Sequence, residues 1–310
     1  MVADLEACPR PPEGCATTIG AYDGVHRGHR VVIEGVRRIA EERGLRSAVV
    51  TFDRHPARVV RPDSAPQLLT DLSQKLELLA ETGLDYALVL HFDEARSKEP
   101  AEQFVREVLA DCLRSRVVVV GADFHFGYRR GGNVALLEQM GAELDFDVVG
   151  LDLVDVDGQV AGAGGSVSST AIRAALGDGD AVAAAEMLGR LHELRGTVVA
   201  GDGRSGGSGL PTAKVVVDDE LLVPGDGSYA GWYERPDGTV HAAVISTGSA
   251  AASSHPAPEP ALEAHLLDFD GDLSGEAATV RFVTRLAEQS TQLERSCEQA
   301  RAVLDPARNR

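Results

Sequence analysis

No stretch of about 20 apolar residues occurs in this 310-residue chain, so no membrane-spanning helix is expected. The N-terminus, MVADLEACPRPPEG, lacks a basic start followed by an apolar run, so no signal peptide is expected either. Cationic side chains are scarce. Lys and Arg number 30 against 48 Asp and Glu, giving a formal net charge of -18 and a pI near 4.9. Non-specific nucleic-acid binding needs clustered Lys and Arg against phosphates, so this balance argues against that class. Cysteines are few. Cys8, Cys15, Cys112 and Cys297 follow neither a zinc spacing nor a disulfide framework. A reduced, cytoplasmic protein is the expectation. No internal repeat is visible.

What is present suffices for a proper core. Hydrophobic residues make up 44% of the chain, and its length fits one large or two ordinary domains. From about residue 15 to 185, apolar runs alternate with amphipathic stretches. SAVVTF at 47–52, YALVLHF at 86–92, VVVVGADF at 117–124 and FDVVGLDLV at 146–154 read as strands. VVIEGVRRIAEERG at 31–44 has helical period, with Gly44 where a C-cap belongs. EPAEQFVREVLADCL at 99–113 reads as a helix opening at Pro100. This alternation predicts an α/β domain, a parallel sheet wrapped by helices.

After about residue 195 the pattern changes. RGTVVAGDG, AKVVVDD, SYAGWYE, TVHAAVIS, LEAHLLDF and ATVRFVTRL are short segments of period two, separated by Gly- and Asp-rich turns. No strong helix follows until SCEQARAVL at 296–304. An antiparallel β-barrel with a terminal helix is the expectation. The boundary falls after AVAAAEMLGRL, which gives domains of 1–190 and 191–310. TGSAAASSHPAPEP at 247–260 reads as a loop of low complexity.

The chemistry concentrates in TTIGAYDGVHRGHR at 17–30. A strand, CATTIGAY, leads through Gly20 and Asp23-Gly24 to His26, Gly28 and His29, with a helix expected from about Arg30. Three readings stand open: a metal site needing a third ligand, such as His55 or His125; a buried structural pair; and a phosphate-handling loop. For the last, ligands of open α/β sheets bind beyond the carboxyl ends of strands. Helix N-termini also offer free N–H groups to phosphate. TFDRHP at 51–56 and GADFHFG at 121–127 stand at other strand ends. SVSSTAIRAAL at 166–176 brings hydroxyls into a helix start, with Ser168 or Ser169 as N-cap and Arg173 one turn in.

These residues resemble a family. GAYDGVHRGH is similar to the G-x-F-D-G-V-H-x-G-H signature of the bacterial bifunctional riboflavin kinase/FAD synthetase family, and SSTAIR is similar to its S-S-T-x-I-R motif. TFDRHP, VVGADFHFG and LEAHLLDFDGDLSG look like further family blocks, in family order, so that the likeness spans about 15–290. The resemblance implies a Rossmann-like nucleotidyltransferase domain that moves AMP from ATP, with Mg²⁺, onto FMN, yielding FAD and pyrophosphate. It implies that Gly20, Asp23, His26, Gly28 and His29 hold ATP, and that both histidines stabilise the charge of the reacting phosphorus. It implies that Ser169, Thr170 and Arg173 hold the outer phosphates, Arg173 among the catalytic residues. Phe52, His55, Pro56, Asp123, Phe124 and Phe126 are implied on the flavin side. Two departures are mild: Tyr22 stands for the usual Phe, and Arg54 for the usual Pro.

The second half departs further. The family's G-R-x-x-G-F-P-T-A-N block, whose Thr and Asn are implied to hold metal and nucleotide, is GRSGGSGLPTAK at 203–214 here. Thr212 is kept, but Lys214 stands at the Asn position; an amide oxygen accepts a cation and an ammonium repels it. Ser246 stands for the Asn of A-N-I-G-T-R-P-T, and LAEQSTQL at 286–293 lacks the usual Arg and Lys. Glu263 keeps the position of the implied general base for riboflavin. The expectation is an FAD synthetase with an impaired kinase barrel. The alternatives are a fully bifunctional enzyme acting on riboflavin, or a nucleotidyltransferase with a changed acceptor or nucleotide. From a different class comes a non-catalytic barrel that binds flavin or mediates homo-oligomer formation.

Overall fold

Runs apolar on consecutive residues become strands buried on both faces, the pattern a parallel sheet under helices requires. In the computed structural model, residues 2–3, 5, 7–121, 123–151, 167–199, 212–248, 261–286 and 293–304 are described. Contacts divide the chain into two compact units, Met1–Ser168 and Ser169–Arg310.

The first unit runs through β1 (Val2–Ala3), β2 (Cys15–Ile19), α1 (Arg27–Arg43), β3 (Arg46–Phe52), α2 (Ala57–Val60), α3 (Leu72–Ala80) and β4 (Tyr86–Leu90). There follow α4 (Glu94–Ser97), α5 (Ala101–Phe104), β5 (Ser115–Gly121), β6 (His125–Phe126), β7 (Gly132–Asn133), α6 (Val134–Leu144) and β8 (Asp147–Leu151). The main sheet has the order β1-β4-β3-β2-β5-β8 and is parallel throughout. From β2 the chain winds outward through β3 and β4, then crosses back to β5 on the other side. The strand order therefore reverses at β2, and loops leaving that edge border the crevice where α/β proteins take ligands. Val118, Val120, Leu88, Leu90, Val108 and Leu109 are among the residues of the core on one face. On the other face Val117 and Val119 meet Val36 and Ala40 of α1.

Helix α1 starts at Arg27, three residues before the expected start, because His26 caps it. Gly44 ends it in a left-handed conformation, φ 65°, as its position predicted. The segment from Pro100 forms one α-turn and then a π-helix over Val105–Cys112, where an ordinary helix is expected from the period.

The cysteine reading is corrected. Cys8 and Cys112 form a disulfide, which also removes the ground for a fully reduced chain. The pair is 104 residues apart, so spacing hides it. The fold carries the N-terminal segment across the end of the π-helix, where Arg10 N–H donates to the Cys112 carbonyl, and the two Cα atoms come within 5.0 Å. That separation is ordinary for a bridge. Cys15 and Cys297 are free and buried.

The second unit opens with α7 (Ser169–Gly177) and α8 (Ala181–Leu188). The strands β9 (His192–Val199), β10 (Thr212–Val217), β11 (Gly227–Glu234), β12 (Val240–Thr247), β13 (Ala261–Leu266) and β14 (Ala277–Arg285) then close a barrel in the order β10-β13-β12-β11-β14-β9. Every pairing in it is antiparallel. Ala213, Val215 and Val217 alternate inward with Leu262, Ala264 and Leu266 opposite. Helix α9 (Leu293–Leu304) covers part of the outer surface through Cys297, Ala300 and Leu304 against Ala230 and Val244. The expected parallel α/β domain and terminal-helix barrel are both found. Residues 203–211 and most of 247–260, singled out above, lie outside the described residues. Among the described residues no helix is long and apolar enough to cross a membrane.

Candidate active site

The loop after β2 carries an unusual run of backbone angles. Tyr22, Gly24 and Val25 have φ of 51°, 82° and 37°. Positive φ suits Gly24, whereas for the β-branched Val25 it is strained, at a cost of order 1–3 kcal/mol. The strain is held in place by the segment just before α3. The Asp23 carboxylate accepts the backbone N–H groups of Leu69 at 2.9 Å and Thr70 at 3.2 Å. Gly24 N–H donates to the Thr70 hydroxyl at 3.1 Å. Tyr22 is buried, and its hydroxyl pairs with that of Thr18 at 2.9 Å.

The loop delivers two imidazoles face to face. The His26 and His29 rings stack with centroids 3.6 Å apart and an 18° interplanar angle. His26 Nδ1 accepts the His29 backbone N–H at 3.3 Å and so closes the first turn of α1. Gly28 gives this stack room. A Cβ there would come within 3.2 Å of the His26 ring and of the Val167 carbonyl. The chain thus passes the loop at Val167.

His29 is the electrostatic centre of the loop. Burial, then the nearby His26 and Lys75, hold its pKa well below the usual histidine value, so it is neutral at neutral pH. Its Nδ1 is buried with no hydrogen-bond partner. An unpaired buried nitrogen costs free energy unless a ligand satisfies it. The arrangement fits phosphate oxygens, to which a neutral imidazole donates one hydrogen bond in the Nδ1–H tautomer. Among the described residues no group of three or more His, Cys, Asp or Glu could hold a metal ion. Mg²⁺ arriving with a nucleotide needs no such cage, because phosphate oxygens and water supply most of its ligands.

The loop after β3 lies beside it at the same sheet edge. Phe52 ends β3 and meets Phe92 edge-on at 5.2 Å. His55 Nδ1 accepts Ala57 N–H at 3.2 Å, starting α2 behind Pro56. Asp53 accepts the Phe92 N–H at 2.9 Å and lies 2.6 Å from His91 Nδ1. Arg54 is half exposed. After β5, Phe124 and Phe126 stack at 5.5 Å, with Phe104 5.7 Å from Phe126. Asp123 is exposed, and its carbonyl lies 2.7 Å from His125 Nδ1. The loops after β2, β3 and β5 therefore converge on one edge. Ser169, Thr170 and Arg173 are on the first turn and a half of α7, in the second unit. Sequence reading missed Lys75, His91, Phe92 and the 69–71 segment. Their only local mark is the D-x-x-Q capping box at Asp71–Gln74.

On the barrel's outer face, register aligns a second cluster. Glu263 pairs with Lys214 on one side and Ser246 on the other. One step along, Thr212 pairs with His265, hydroxyl to Nδ1 at 2.9 Å. Burial pushes the His265 pKa down to about 4, so its 3.9 Å approach to Glu263 is no ion pair at neutral pH. The row around Glu263 thus carries an ammonium at the position where the resemblance implies a cation-holding amide.

The comparisons agree with this division. The family model described as FAD synthetase matches residues 8–170. The one described as riboflavin kinase matches 188–301. The chain is 38% identical over 269 residues to the bifunctional riboflavin kinase/FMN adenylyltransferase of Escherichia coli strain K12, covering 86% of this chain and 82% of that protein. The protein of the same name from Pseudomonas fluorescens is 34% identical, with 89% and 86% covered. That from Haemophilus influenzae is 29% identical, with 97% and 98% covered. A crystal structure titled macrolide-efflux protein from Streptococcus pneumoniae superposes with a TM-score of 0.79 over 100% of this chain and 99% of that one. Its 23% identity speaks for the fold alone.

Proposed function

The chain belongs to the bifunctional riboflavin kinase/FMN adenylyltransferase family, and on that premise we propose how its two units divide the work. The first unit acts as the FMN adenylyltransferase. An FMN phosphate oxygen attacks the α-phosphorus of ATP, a new P–O bond forms, and the bond to pyrophosphate breaks. Mg²⁺ enters as part of the ATP substrate. The observation that carries this reading is the buried His29 Nδ1 without a partner, stacked on His26 where the strand order reverses.

The residues act by position and charge, with no covalent intermediate. His26 and His29 donate to phosphoryl oxygens as charge builds on the reacting phosphorus. Gly20 and Gly28 leave room for the nucleotide, and Asp23 keeps the loop in shape. Ser169, Thr170 and Arg173 hold the outer phosphates. Phe52, His55, Pro56, Asp123, Phe124 and Phe126 border the flavin. Purified protein given FMN, ATP and Mg²⁺ should form FAD and pyrophosphate; no product under any divalent metal would overturn the assignment.

The barrel's phosphoryl transfer is impaired in this reading, because Lys214 sets an ammonium beside Glu263. A second reading, full bifunctionality, draws support from the riboflavin kinase match across 188–301 and from the intact Thr212–His265 pair beside Glu263. Riboflavin with ATP and Mg²⁺ decides between them. FMN or FAD at rates comparable to FAD formation from FMN would establish the second.

A further inference from the structure

Lys75 is a buried charge that the adenylyl-transfer reading leaves without a task. It lies on the first turn of α3 with 7% of its surface exposed. Its Nζ donates to the Phe52 carbonyl at 2.6 Å and to the Ala21 carbonyl at 3.4 Å. Those two carbonyls belong to the chain leaving β3 and β2. Where strands end, ladder partners run out, and buried carbonyls must find donors elsewhere. The Thr51 hydroxyl also donates to Ala21 O, at 3.1 Å. One ammonium therefore joins the start of the His26–His29 loop to the start of the Phe52–Pro56 loop.

A neutral donor would join them with less desolvation. Burial costs the ammonium enough to lower its pKa to about 8, against the opposing pull of Asp23 and Asp53. The charge is felt at His29, where Lys75 is among the causes that keep the ring neutral. The loop it fastens is the strained one, with Tyr22 and Val25 at positive φ. Asp23 and Gly24 anchor the middle of that loop to residues 69 and 70. Lys75 anchors its beginning and also reaches the neighbouring loop.

We propose that Lys75 is a positioning residue for adenylyl transfer: it fixes the offset between the loop that holds the nucleotide phosphates and the loop that borders the acceptor. The proposal rests on the reading of the first unit given above. In-line attack is sensitive to this offset, since a misplacement of about 1 Å can cost roughly 100-fold in rate.

The test uses the full chain with Lys75→Met, which keeps length and removes the donors, and Lys75→Arg, which keeps charge and donors. FAD formation is measured with FMN and MgATP each varied, at a temperature where circular dichroism shows every variant folded. Lys75→Met is expected to lose about 100-fold in kcat with KM for ATP changed less than about threefold; Lys75→Arg recovers at least a tenth of the lost rate. Amide hydrogen exchange provides a readout independent of catalysis. Exchange at residues 21–25 and 53–55 should quicken at least tenfold in Lys75→Met, with α6 unchanged. A folded Lys75→Met with kcat within about threefold of the parent would overturn the proposal, as would unchanged exchange in both loops. If the parent itself forms no FAD, the adenylyl-transfer reading falls, and the exchange measurement alone decides the role of Lys75.

Discussion

Replacing Lys75 by Met should change stability in a way that depends on pH, and the size of the change follows from the burial of the ammonium. In the folded protein the Lys75 pKa is about 8, below the ordinary 10.5. Between these values the unfolded chain binds the proton and the folded one does not. Stability therefore rises with pH across that window. Below pH 8 the full penalty is present, about 3 kcal/mol at 1.36 kcal/mol per pH unit. Met relieves that penalty, but it strips the Lys75 donor from the Phe52 carbonyl, at about 1–3 kcal/mol for a group left unpaired, while the Ala21 carbonyl keeps the Thr51 hydroxyl. The two forms should then be nearly equal in stability at pH 7, and the parent should be more stable by about 2–3 kcal/mol at pH 10. Cys15 works in the opposite direction. Burial raises its thiol to about 12, so stability falls with pH above its ordinary 9.0. Both forms share Cys15, and it cancels in their difference. Urea unfolding followed by circular dichroism at pH 7, 8.5 and 10 measures this difference. The single tryptophan, Trp232, lies on β11, so its fluorescence marks the barrel's own transition and separates it from that of the first unit. A difference constant within about 0.5 kcal/mol over that range would refute the reasoning.

Other outcomes are equally concrete. His29→Asn should lower kcat for FAD formation by about 100- to 1000-fold, the range for loss of one oxyanion donor, read from FAD release by chromatography. Because the His29 pKa is depressed and a triphosphate would raise it, ATP binding should take up a proton and tighten as pH falls; calorimetry in buffers of different ionisation enthalpy detects this. Denatured, unreduced protein should show two titratable thiols, Cys15 and Cys297, and Cys8→Ser should lose about 2–4 kcal/mol in urea unfolding. Lys214→Asn should raise Mg²⁺-dependent FMN formation from riboflavin at least tenfold; an unchanged rate would clear Lys214 of blame.

Local features carried well from sequence to structure, and distant pairings did not. The strands at 47–52 and 117–121 were legible because burial on both faces leaves unbroken apolar runs. The six barrel strands were legible because burial on one face leaves a period of two. The His26–Gly28–His29 loop announced itself through its own spacing. Lys75 did not, since QLLTDLSQK reads as an ordinary capped helix. Its partners are 23 and 54 residues away and are backbone carbonyls, which leave no trace in residue identity. The Asp53–His91 contact and the Cys8–Cys112 bridge join side chains, and they escaped because they lie 38 and 104 residues apart. The start of α1 was placed three residues late because histidine is not an expected cap, yet here its ring does that work.

That cap has a consequence for protonation. A ring nitrogen that accepts the His29 N–H cannot also bear a proton, so closing the helix assigns the His26 tautomer. The one proton of the neutral ring is left on Nε2. A second proton could be gained only at Nδ1, by releasing the N–H that begins the helix. Folding thus selects the tautomer of the neutral His26 ring before any substrate arrives, and a change of tautomer would be felt along the axis of α1.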